Sequence, residues 1–323
     1  MVTEERSQAQ PVLRLSLLQI EPANRGIADS LAALDRAAAE AQSQQADILI
    51  TPEMYLTGYN IGRKAVRAAA EPLTGPTLGA VARIAAERGL AIVVVFPELA
   101  GDEVFNTAAF ITRDGDLLSS YRKTHLYGEV DEAQFSAGDA LGEPFDYLGW
   151  RLAMAICFDI EFPEVARAHA LAGVDAILTP TANMQPFTSV STRLVPARAE
   201  ENGVFVAYAN FVGDESRFEY CGSSCVVGPD GEDIARAGTD AEVLAADLQH
   251  AELARVRGLS PYLSSLRTDL YPVRPETEEP MSAPTSKPVT AFGPDFPFAY
   301  DEWITHEAGL VRSRSRLMAR RWQ

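Results

Sequence analysis

Cys157 lies at the junction between a predicted strand and a predicted helix, where a thiol could act as a nucleophile. Leu152 to Ile156 is apolar and of strand length. Pro163 and Glu164 then provide a proline and an acidic residue, which are typical of a helix start. Backbone N–H groups that point outward at such a junction favour a thiolate and can bind an oxyanion. The alternative is that Cys157 is a small buried apolar residue, and the local sequence leaves both interpretations open.

A cysteine nucleophile needs a base, and its oxyanion needs a donor or a positive charge. Histidine is the usual base, but His169 and His250 fall inside predicted helices and His306 lies near the C-terminal end. Only His125 is placed where it could take part. A carboxylate combined with a lysine is the other way to build such a site.

Glu53 is the first candidate carboxylate, because it directly follows the apolar strand predicted over Asp47 to Thr51. A carboxylate at the end of a buried strand is costly unless it has a partner or a function. The alternative is a solvated glutamate in a loop.

Lys123 is the candidate positive charge, at the end of a strand that begins at Leu117. The other two lysines of the chain are Lys64 and Lys287, and arginine takes every other basic position. A lysine in such a chain suggests that a compact charge or a removable proton is needed there. The alternative is that a lysine occurs at this position by chance.

The elements that must position these residues mix strands, helices and hairpins between residue 12 and about residue 270. Turn sequences at 113–116 and 229–231 predict two hairpins. Other strands are predicted to be joined by helices, as Val12 to Ile20 is followed by a helix over Ile27 to Gln42. This pattern favours an α/β fold with mixed sheets.

Three regions are distinguished by composition. Residues 1–11 are polar and predicted to be flexible, and residues 12–271 form the predicted catalytic domain. Residues 272–323 are predicted to form a Pro-rich linker and a C-terminal arm, with a basic, helix-like segment over 303–322. That arm could dock on the body or on a second subunit, or it could be a mobile tail.

The net charge of −17 argues against a nucleic-acid partner, which requires a basic surface. No segment is apolar and long enough to predict a membrane helix or a signal peptide, so we expect no membrane association and a cytoplasmic protein. Three cysteines do not make a disulfide framework, and reduced thiols suit that compartment.

Glu53, Lys123 and Cys157 each follow a predicted buried strand, and the segments around them resemble the nitrilase superfamily of carbon–nitrogen hydrolases. The resemblance extends from about residue 12 to residue 268. It rests on Pro-Glu-Met-Tyr-Leu-Thr-Gly-Tyr at 52–59, Tyr-Arg-Lys-Thr-His-Leu at 121–126, Ile-Cys-Phe-Asp-Ile-Glu-Phe-Pro-Glu at 156–164, Thr-Pro-Thr-Ala-Asn-Met at 179–184 and Arg-Ala-Glu-Glu-Asn at 198–202.

The resemblance implies a four-layer α-β-β-α sandwich with mixed sheets, and a catalytic triad of Glu53, Lys123 and Cys157. It implies a further glutamate after the lysine, which we assign to Glu129, with Asp131 and Glu132 within one gap of that position. We expect the backbone N–H of Phe158 to bind the oxyanion. No metal and no organic cofactor are implied.

The resemblance also implies a homodimer, formed through the helices after Cys157 and near residue 190.

The residues after the cysteine, Phe-Asp-Ile-Glu-Phe-Pro-Glu, look most like those of amidases. These include bacterial stereoselective amidases, which have Gly-Tyr-Asn-Ile-Gly after the glutamate motif, as this chain does at 58–62. The implied substrate is a small carboxamide, hydrolysed to the acid and ammonia through a cysteine thioester. Nitrile or N-carbamoyl amino acid hydrolysis by the same triad is the alternative. By the same similarity we expect the substrate pocket to include Leu56, Tyr59, Asn60, Asn183 and Met184.

Two other function classes are compatible with single features of the sequence. Cys221-Gly-Ser-Ser-Cys225 could indicate a serine amidase or a metal site, but two cysteines without further ligands favour a strand entry. A binding protein without catalytic activity is possible only in principle, because all three residue types of the triad are present.

Overall fold

The structure is a computed structural model that describes residues 12–22 and 26–270. The predicted flexible segment 1–11 and the whole of the predicted C-terminal linker and arm, 272–323, lie outside the described residues. The helices are α1 (Ile27–Ser43), α2 (Arg63–Ala69), α3 (Pro76–Arg88), α4 (Gly128–Glu132), α5 (Pro163–Leu171), α6 (Val195–Asn202) and α7 (His250–Leu259).

The strands in chain order are β1 (Val12–Gln19), β2 (Ile48–Ile50), β3 (Ala91–Ala100), β4 (Glu103–Ile111), β5 (Leu117–Arg122), β6 (Phe145–Tyr147), β7 (Trp150–Met154), β8 (Ala176–Pro180), β9 (Phe205–Ala209), β10 (Val212–Glu215), β11 (Phe218–Cys221), β12 (Cys225–Val227), β13 (Asp233–Arg236) and β14 (Glu242–Gln249).

Two six-stranded mixed sheets are built on the same plan. The first has the order β14-β1-β2-β3-β4-β5 and the second has the order β13-β12-β9-β8-β7-β6. Three neighbouring strands of each sheet are parallel because helices connect them: β1, β2 and β3 in the first sheet, and β7, β8 and β9 in the second. The flanking strands are antiparallel because hairpins or long connections return the chain. A short hairpin of β10 and β11 forms a separate sheet.

The alternation of side chains along β7 shows how the layers stack. Leu152 and Met154 join the large core that lies between the two sheets, whereas Ala153 and Ala155 join a smaller core with helix residues such as Val165. Successive strand residues point to opposite faces, so the small alanines allow the helices to approach closely.

Helices α1 and α3 cover the first sheet, and α5 and α6 cover the second. The prediction of a four-layer α-β-β-α sandwich with mixed sheets is therefore confirmed. No helix within 12–22 and 26–270 combines the length and the hydrophobicity that a bilayer crossing requires.

The predicted helix over residues 190–202 begins as a π-helical turn, Val190–Leu194, before α6. Pro196 lies in the first turn of α6 and has no N–H to continue a regular ladder, so the turn before it widens.

Asn210 joins the segments that follow three strands of the second half of the chain. Its Nδ2 donates to the carbonyl oxygens of Asn183 (3.0 Å) and Gly222 (2.8 Å). Its Oδ1 accepts from the backbone N–H of Asn183 at 2.8 Å. A fully buried amide with all these groups paired fixes the loop after β8, which leads toward Met184.

We predict that Asn210→Asp lowers the free energy of unfolding by about 3 kcal/mol, because a buried carboxylate oxygen would face two carbonyl oxygens. Urea denaturation followed by circular dichroism measures this loss. Gln42→Glu makes the same amide-to-acid change at an exposed position of α1 and should stay within about 0.5 kcal/mol of the wild type. Equal stability of Asn210→Asp and wild type would contradict the prediction.

Candidate active site

Glu53 lies at the end of the central strand β2, after Thr51 and Pro52, and its side chain is fully buried. The backbone N–H of Glu53 donates to the carbonyl oxygen of Thr181 at 3.1 Å, so the carboxyl ends of β2 and β8 are tied together across the two sheets. Its Oε1 accepts hydrogen bonds from Asn106 Nδ2 at 2.8 Å and Lys123 Nζ at 2.7 Å. Among the described residues, no protein group hydrogen-bonds Oε2.

Lys123 follows β5 and is also fully buried. Its backbone N–H donates to the carbonyl oxygen of Asn106 at 2.9 Å, and this bond continues the pairing of β4 and β5 as far as the site. The ammonium lies between two carboxylates, with Glu53 Oε1 at 2.7 Å and Asp131 Oδ2 at 2.6 Å. A buried lysine with two such partners stays charged.

The second acidic partner of Lys123 is Asp131 and not Glu129, which corrects the assignment made from the sequence. Both residues belong to the short helix α4, where positions two apart point about 200° away from each other. Glu129 is exposed to solvent, whereas Asp131 is fully buried. Asp131 Oδ2 also accepts from the backbone N–H of Tyr127 at 2.9 Å, which holds the carboxylate in place.

Cys157 begins a 3₁₀ turn, Cys157–Glu161, immediately after the chain leaves β7. Its φ of 48° lies in the left-handed region, which non-glycine residues adopt at a cost and which is common at functional sites. The thiol is buried, in line with the sharp turn that delivers it to the end of the sheet.

Burial and the nearby negative charge of Glu53 raise the pKa of the Cys157 thiol well above its ordinary value. The Lys123 ammonium, the Thr181 hydroxyl and the backbone N–H of Ala182 act in the opposite direction. The net effect favours a thiol at rest, which must lose its proton when it attacks.

The pKa values of Glu53 and Lys123 are shifted in directions that are compatible with the removal of this proton. Burial and the charge of Asp131 raise the pKa of Glu53, although Lys123 opposes them. Burial disfavours the ammonium of Lys123, but Asp131 and Glu53 outweigh that effect and raise its pKa well above its ordinary value. Two carboxylates and one ammonium give the site a net charge of −1. A separate thiolate would bring it to −2, whereas a proton passed from Cys157 to Glu53 leaves the charge unchanged.

Asp159 connects the cysteine turn to the segment that carries Lys123. One carboxylate oxygen accepts from the backbone N–H of Ile156 (3.0 Å) and the hydroxyl of Tyr121 (2.8 Å). The other accepts from Thr124 Oγ1 (3.1 Å) and from the backbone N–H of His125 (3.0 Å). These bonds fix the turn of the nucleophile relative to the lysine.

His125 belongs to this supporting network. Its Nδ1 lies 2.8 Å from Asp159 Oδ1, and its ring stacks on Phe162 with centroids 4.1 Å apart. The ring therefore packs against the turn and pairs with Asp159.

Phe158 follows the cysteine in the turn, and its ring meets the ring of Tyr127 edge-on at 5.3 Å. The role of its backbone N–H in binding an oxyanion stays a prediction.

The predicted pocket residues lie on two segments, which we call the predicted walls of the pocket. On one wall, Leu56 and Tyr59 are buried, and Lys123 Nζ lies 5.9 Å from the centre of the Tyr59 ring. On the same wall Asn60 is partly exposed. Asn183 and Met184, on the other wall, are buried after β8. Their contact with a substrate stays a prediction.

Four further polar residues support the site and were not identified from the sequence: Asn106, Asp159, Glu215 and Gln134. Asp159 had a signal, since an acidic residue two positions after a nucleophile can accept the N–H groups of its turn. Glu215 and Gln134 are far in sequence from the loop residues that they contact, and no local pattern distinguishes them from surface residues.

Cys221 and Cys225 are separately buried in β11 and β12. Burial raises the pKa of each thiol to about 12, which makes them poor nucleophiles. The strand interpretation of this segment agrees with their positions.

Comparison with known proteins places these features in a family. The Carbon-nitrogen hydrolase family matches residues 14–258. A Pseudomonas protegens protein described as "Hydrolase in pqqF 5'region" is 44% identical over 260 residues, which cover 80% of this chain and 90% of the relative. An (R)-stereoselective amidase of Pseudomonas sp. is 34% identical over 212 residues, 65% of this chain and 76% of the relative.

Among solved structures, the NitN amidase of Nesterenkonia sp. AN1 superposes with a TM-score of 0.70 at 34% identity, covering 80% of this chain and 98% of that one. Crystals of its variants show the acetamide moiety of fluoroacetamide added to the active-site cysteine, and a complex of a cysteine-to-alanine variant with butyramide. The match over most of the chain, together with the fold, shows that this protein belongs to the carbon–nitrogen hydrolase family of the nitrilase superfamily.

Proposed function

We propose that this protein is an amidase that hydrolyses a small carboxamide to the carboxylic acid and ammonia through a thioester on Cys157. One observation carries the proposal. Glu53 Oε1 is occupied by Lys123 and Asn106, while its buried Oε2 has no protein partner in the described part of the chain. A carboxylate held in this way, with a raised pKa and a thiol near it, is prepared to accept one proton.

In the first half of the reaction, Glu53 takes the proton of the Cys157 thiol as sulfur attacks the amide carbon. The carbonyl oxygen becomes an oxyanion that the Lys123 ammonium and the backbone N–H of Phe158 stabilise. Glu53 then gives its proton to the departing nitrogen. Ammonia leaves, and the acyl group stays on sulfur as a thioester.

In the second half, Glu53 removes a proton from water, and the resulting hydroxide attacks the thioester carbon. The same positive charge and N–H group hold the second oxyanion. The intermediate expels sulfur, which regains its proton from Glu53, and the acid is released. The total charge of Glu53, Lys123, Asp131, Cys157 and the bound acyl group therefore stays at −1 throughout, because Glu53 is neutral whenever an oxyanion is present.

The relatives support the amide as the substrate class. The Nesterenkonia enzyme is an amidase whose cysteine-to-alanine variant binds butyramide, and one Pseudomonas relative is an (R)-stereoselective amidase. A relative from Pyrococcus abyssi that is 32% identical is called a nitrilase, so nitrile hydrolysis is the second candidate. N-carbamoyl amino acids are the third substrate class for the same triad.

We expect ammonia release from small carboxamides such as acetamide and butyramide to exceed that from the matching nitriles and from N-carbamoyl amino acids. Cys157→Ala should abolish the release, by at least about a thousandfold, because the nucleophile is lost. An enzyme-coupled ammonia assay of the panel measures both effects.

Cys225→Ala is the matched control, since it removes another buried thiol and should retain activity. Activity confined to nitriles would overturn the amidase assignment. Wild-type turnover by a folded Cys157→Ala variant would overturn the mechanism.

The pH dependence of kcat/KM tests the role of Asp131. Activity requires ionised Glu53, so it falls as the pH drops through the pKa of Glu53, which lies above the ordinary value of 4.5. Asp131→Asn removes a charge that raises this pKa, and the acid limb should therefore move to lower pH.

Glu132→Gln, an exposed neighbour on the same helix, removes an equal charge and should leave the limb in place. An acid limb that is unmoved or moved to higher pH in Asp131→Asn would contradict this account.

We also infer that the protein is a cytoplasmic homodimer that pairs through the surfaces of α5 and residues 190–202. This inference rests on the family resemblance and on three unpaired cysteines. Light scattering should give a mass near twice 35.0 kDa. A mass of one chain at every concentration tested would exclude the dimer. A variant that ends at Tyr271 should keep the dimer if the C-terminal arm does not join the subunits.

A further inference from the structure

The hairpin formed by β10 and β11 contacts both predicted walls of the substrate pocket. Its backbone pairs with the wall after β8, where Gln185 N–H donates to Glu219 O at 2.8 Å and Cys221 N–H donates to Asn183 O at 3.0 Å. A second group of contacts runs from the hairpin to the wall at residues 58–62. The hairpin therefore sets the position of one wall relative to the other.

Glu215 makes the main contact with the wall at 58–62. Its buried carboxylate accepts from the backbone N–H of Tyr59 at 3.0 Å on one oxygen, and from that of Asn60 at 2.9 Å on the other. The Tyr220 hydroxyl donates to the second oxygen at 2.6 Å. A carboxylate with three donors forms strong, directional bonds, and it needs all of them because it is buried.

Gly58 allows this close approach. Its φ is +92°, and a Cβ at this position would lie 2.5 Å from Glu215 Oε1. Any larger residue would therefore push the loop away from the carboxylate.

Gln134 also holds this loop. Its Oε1 accepts from the backbone N–H of Gly62 at 2.9 Å, and its Nε2 donates to the carbonyl oxygen of Tyr59 at 3.2 Å. The loop is thus fixed by two side chains from distant parts of the chain. A loop held this firmly forms a wall that does not yield to a larger ligand.

Tyr59 carries the position of this loop into the catalytic site. Its ring centre lies 5.9 Å from Lys123 Nζ and 6.2 Å from the ring centre of Phe218 on the hairpin. Cys157 also contributes to the raised pKa of the Tyr59 hydroxyl, after burial and the charges of Asp131 and Glu53. Moving the loop would therefore change the space beside the acyl group on Cys157.

We propose that Glu215 is a positioning residue that sets acyl-chain selectivity, because it fixes the Gly58–Gly62 loop and with it the Tyr59 wall of the acyl pocket. This inference rests on the proposed amidase function. The ligand class is the acyl chain of a small carboxamide, and Glu215 acts on it only through the loop. One methylene in an apolar pocket commonly changes kcat/KM by about 10-fold to 200-fold, so a small displacement of the wall is measurable.

Glu215→Gln is the test variant, because glutamine has one acceptor oxygen and its NH₂ group would face a backbone N–H. We expect the ratio of kcat/KM for acetamide to that for isobutyramide to fall at least about fivefold, with the acid limb of the pH profile unmoved. Glu219→Gln, the same change at an exposed position of the hairpin, should leave the ratio at its wild-type value. Gly58→Ala should shift the ratio in the same direction as Glu215→Gln.

A second measurement does not depend on amide turnover. The rates at which 2-iodoacetamide and 2-iodobutyramide alkylate Cys157 are followed by intact-protein mass spectrometry, and each is divided by its rate with free cysteine. The ratio of the two corrected rates should fall in Glu215→Gln as well. If the wild type releases no ammonia from any amide, the proposed function fails, and the alkylation ratio still decides this inference.

An equal loss of activity on both amides in Glu215→Gln, with an unchanged alkylation ratio, would show that Glu215 serves only the stability of the fold. The same shift in Glu219→Gln would also overturn the inference, because it would not depend on contact with the loop.

Discussion

The ammonium of Lys123, buried between the carboxylates of Glu53 and Asp131, is the interaction on which the rest of the site depends. None of the three charges is stable in the protein interior without the others. Their pairing requires the ends of β2 and β5 and the helix α4 to meet within hydrogen-bond distance. It also leaves the site with one negative charge, and burial together with nearby negative charge raises the pKa values of Glu53 and of the Cys157 thiol.

The remaining architecture places the nucleophile against that group of charges. The two sheets follow the same plan and pack face to face, so the carboxyl ends of β2, β7 and β8 converge on one region. Two kinds of bond then fix the fine geometry. Asp159 joins the turn of Cys157 to the segment after β5, and the bond from Glu53 N–H to Thr181 O joins the sheets directly. The chemistry therefore lies on rigid strand ends, whereas selectivity is assigned to the loop and hairpin beside them.

Several features of this protein could be predicted from local sequence, since they depend on residues close together in the chain. The apolar run before Cys157, the proline after it and the apolar strand before Glu53 predict buried strands that end in reactive groups. The mixture of hairpin turns and helix crossovers predicts mixed sheets. The resemblance of the motifs to the nitrilase superfamily predicts that two such sheets stack in a sandwich. The second acidic partner of Lys123 was harder to predict, because Glu129 and Asp131 both carry a carboxylate. Only the direction in which each side chain points on α4 distinguishes the two.

Short stretches with strong local patterns were enough to predict the family, the sandwich fold and the three residues proposed for catalysis. The folded chain was needed to see that Asp131 partners Lys123 and that His125 belongs to the Asp159 network. It was also needed to see that Glu215 and Gln134 hold the Tyr59 loop. Glu215 is 156 positions from Tyr59 in the chain, and no periodicity or turn rule relates such residues. Their contact exists because the two sheets and the hairpin between the pocket walls fold as one packed unit.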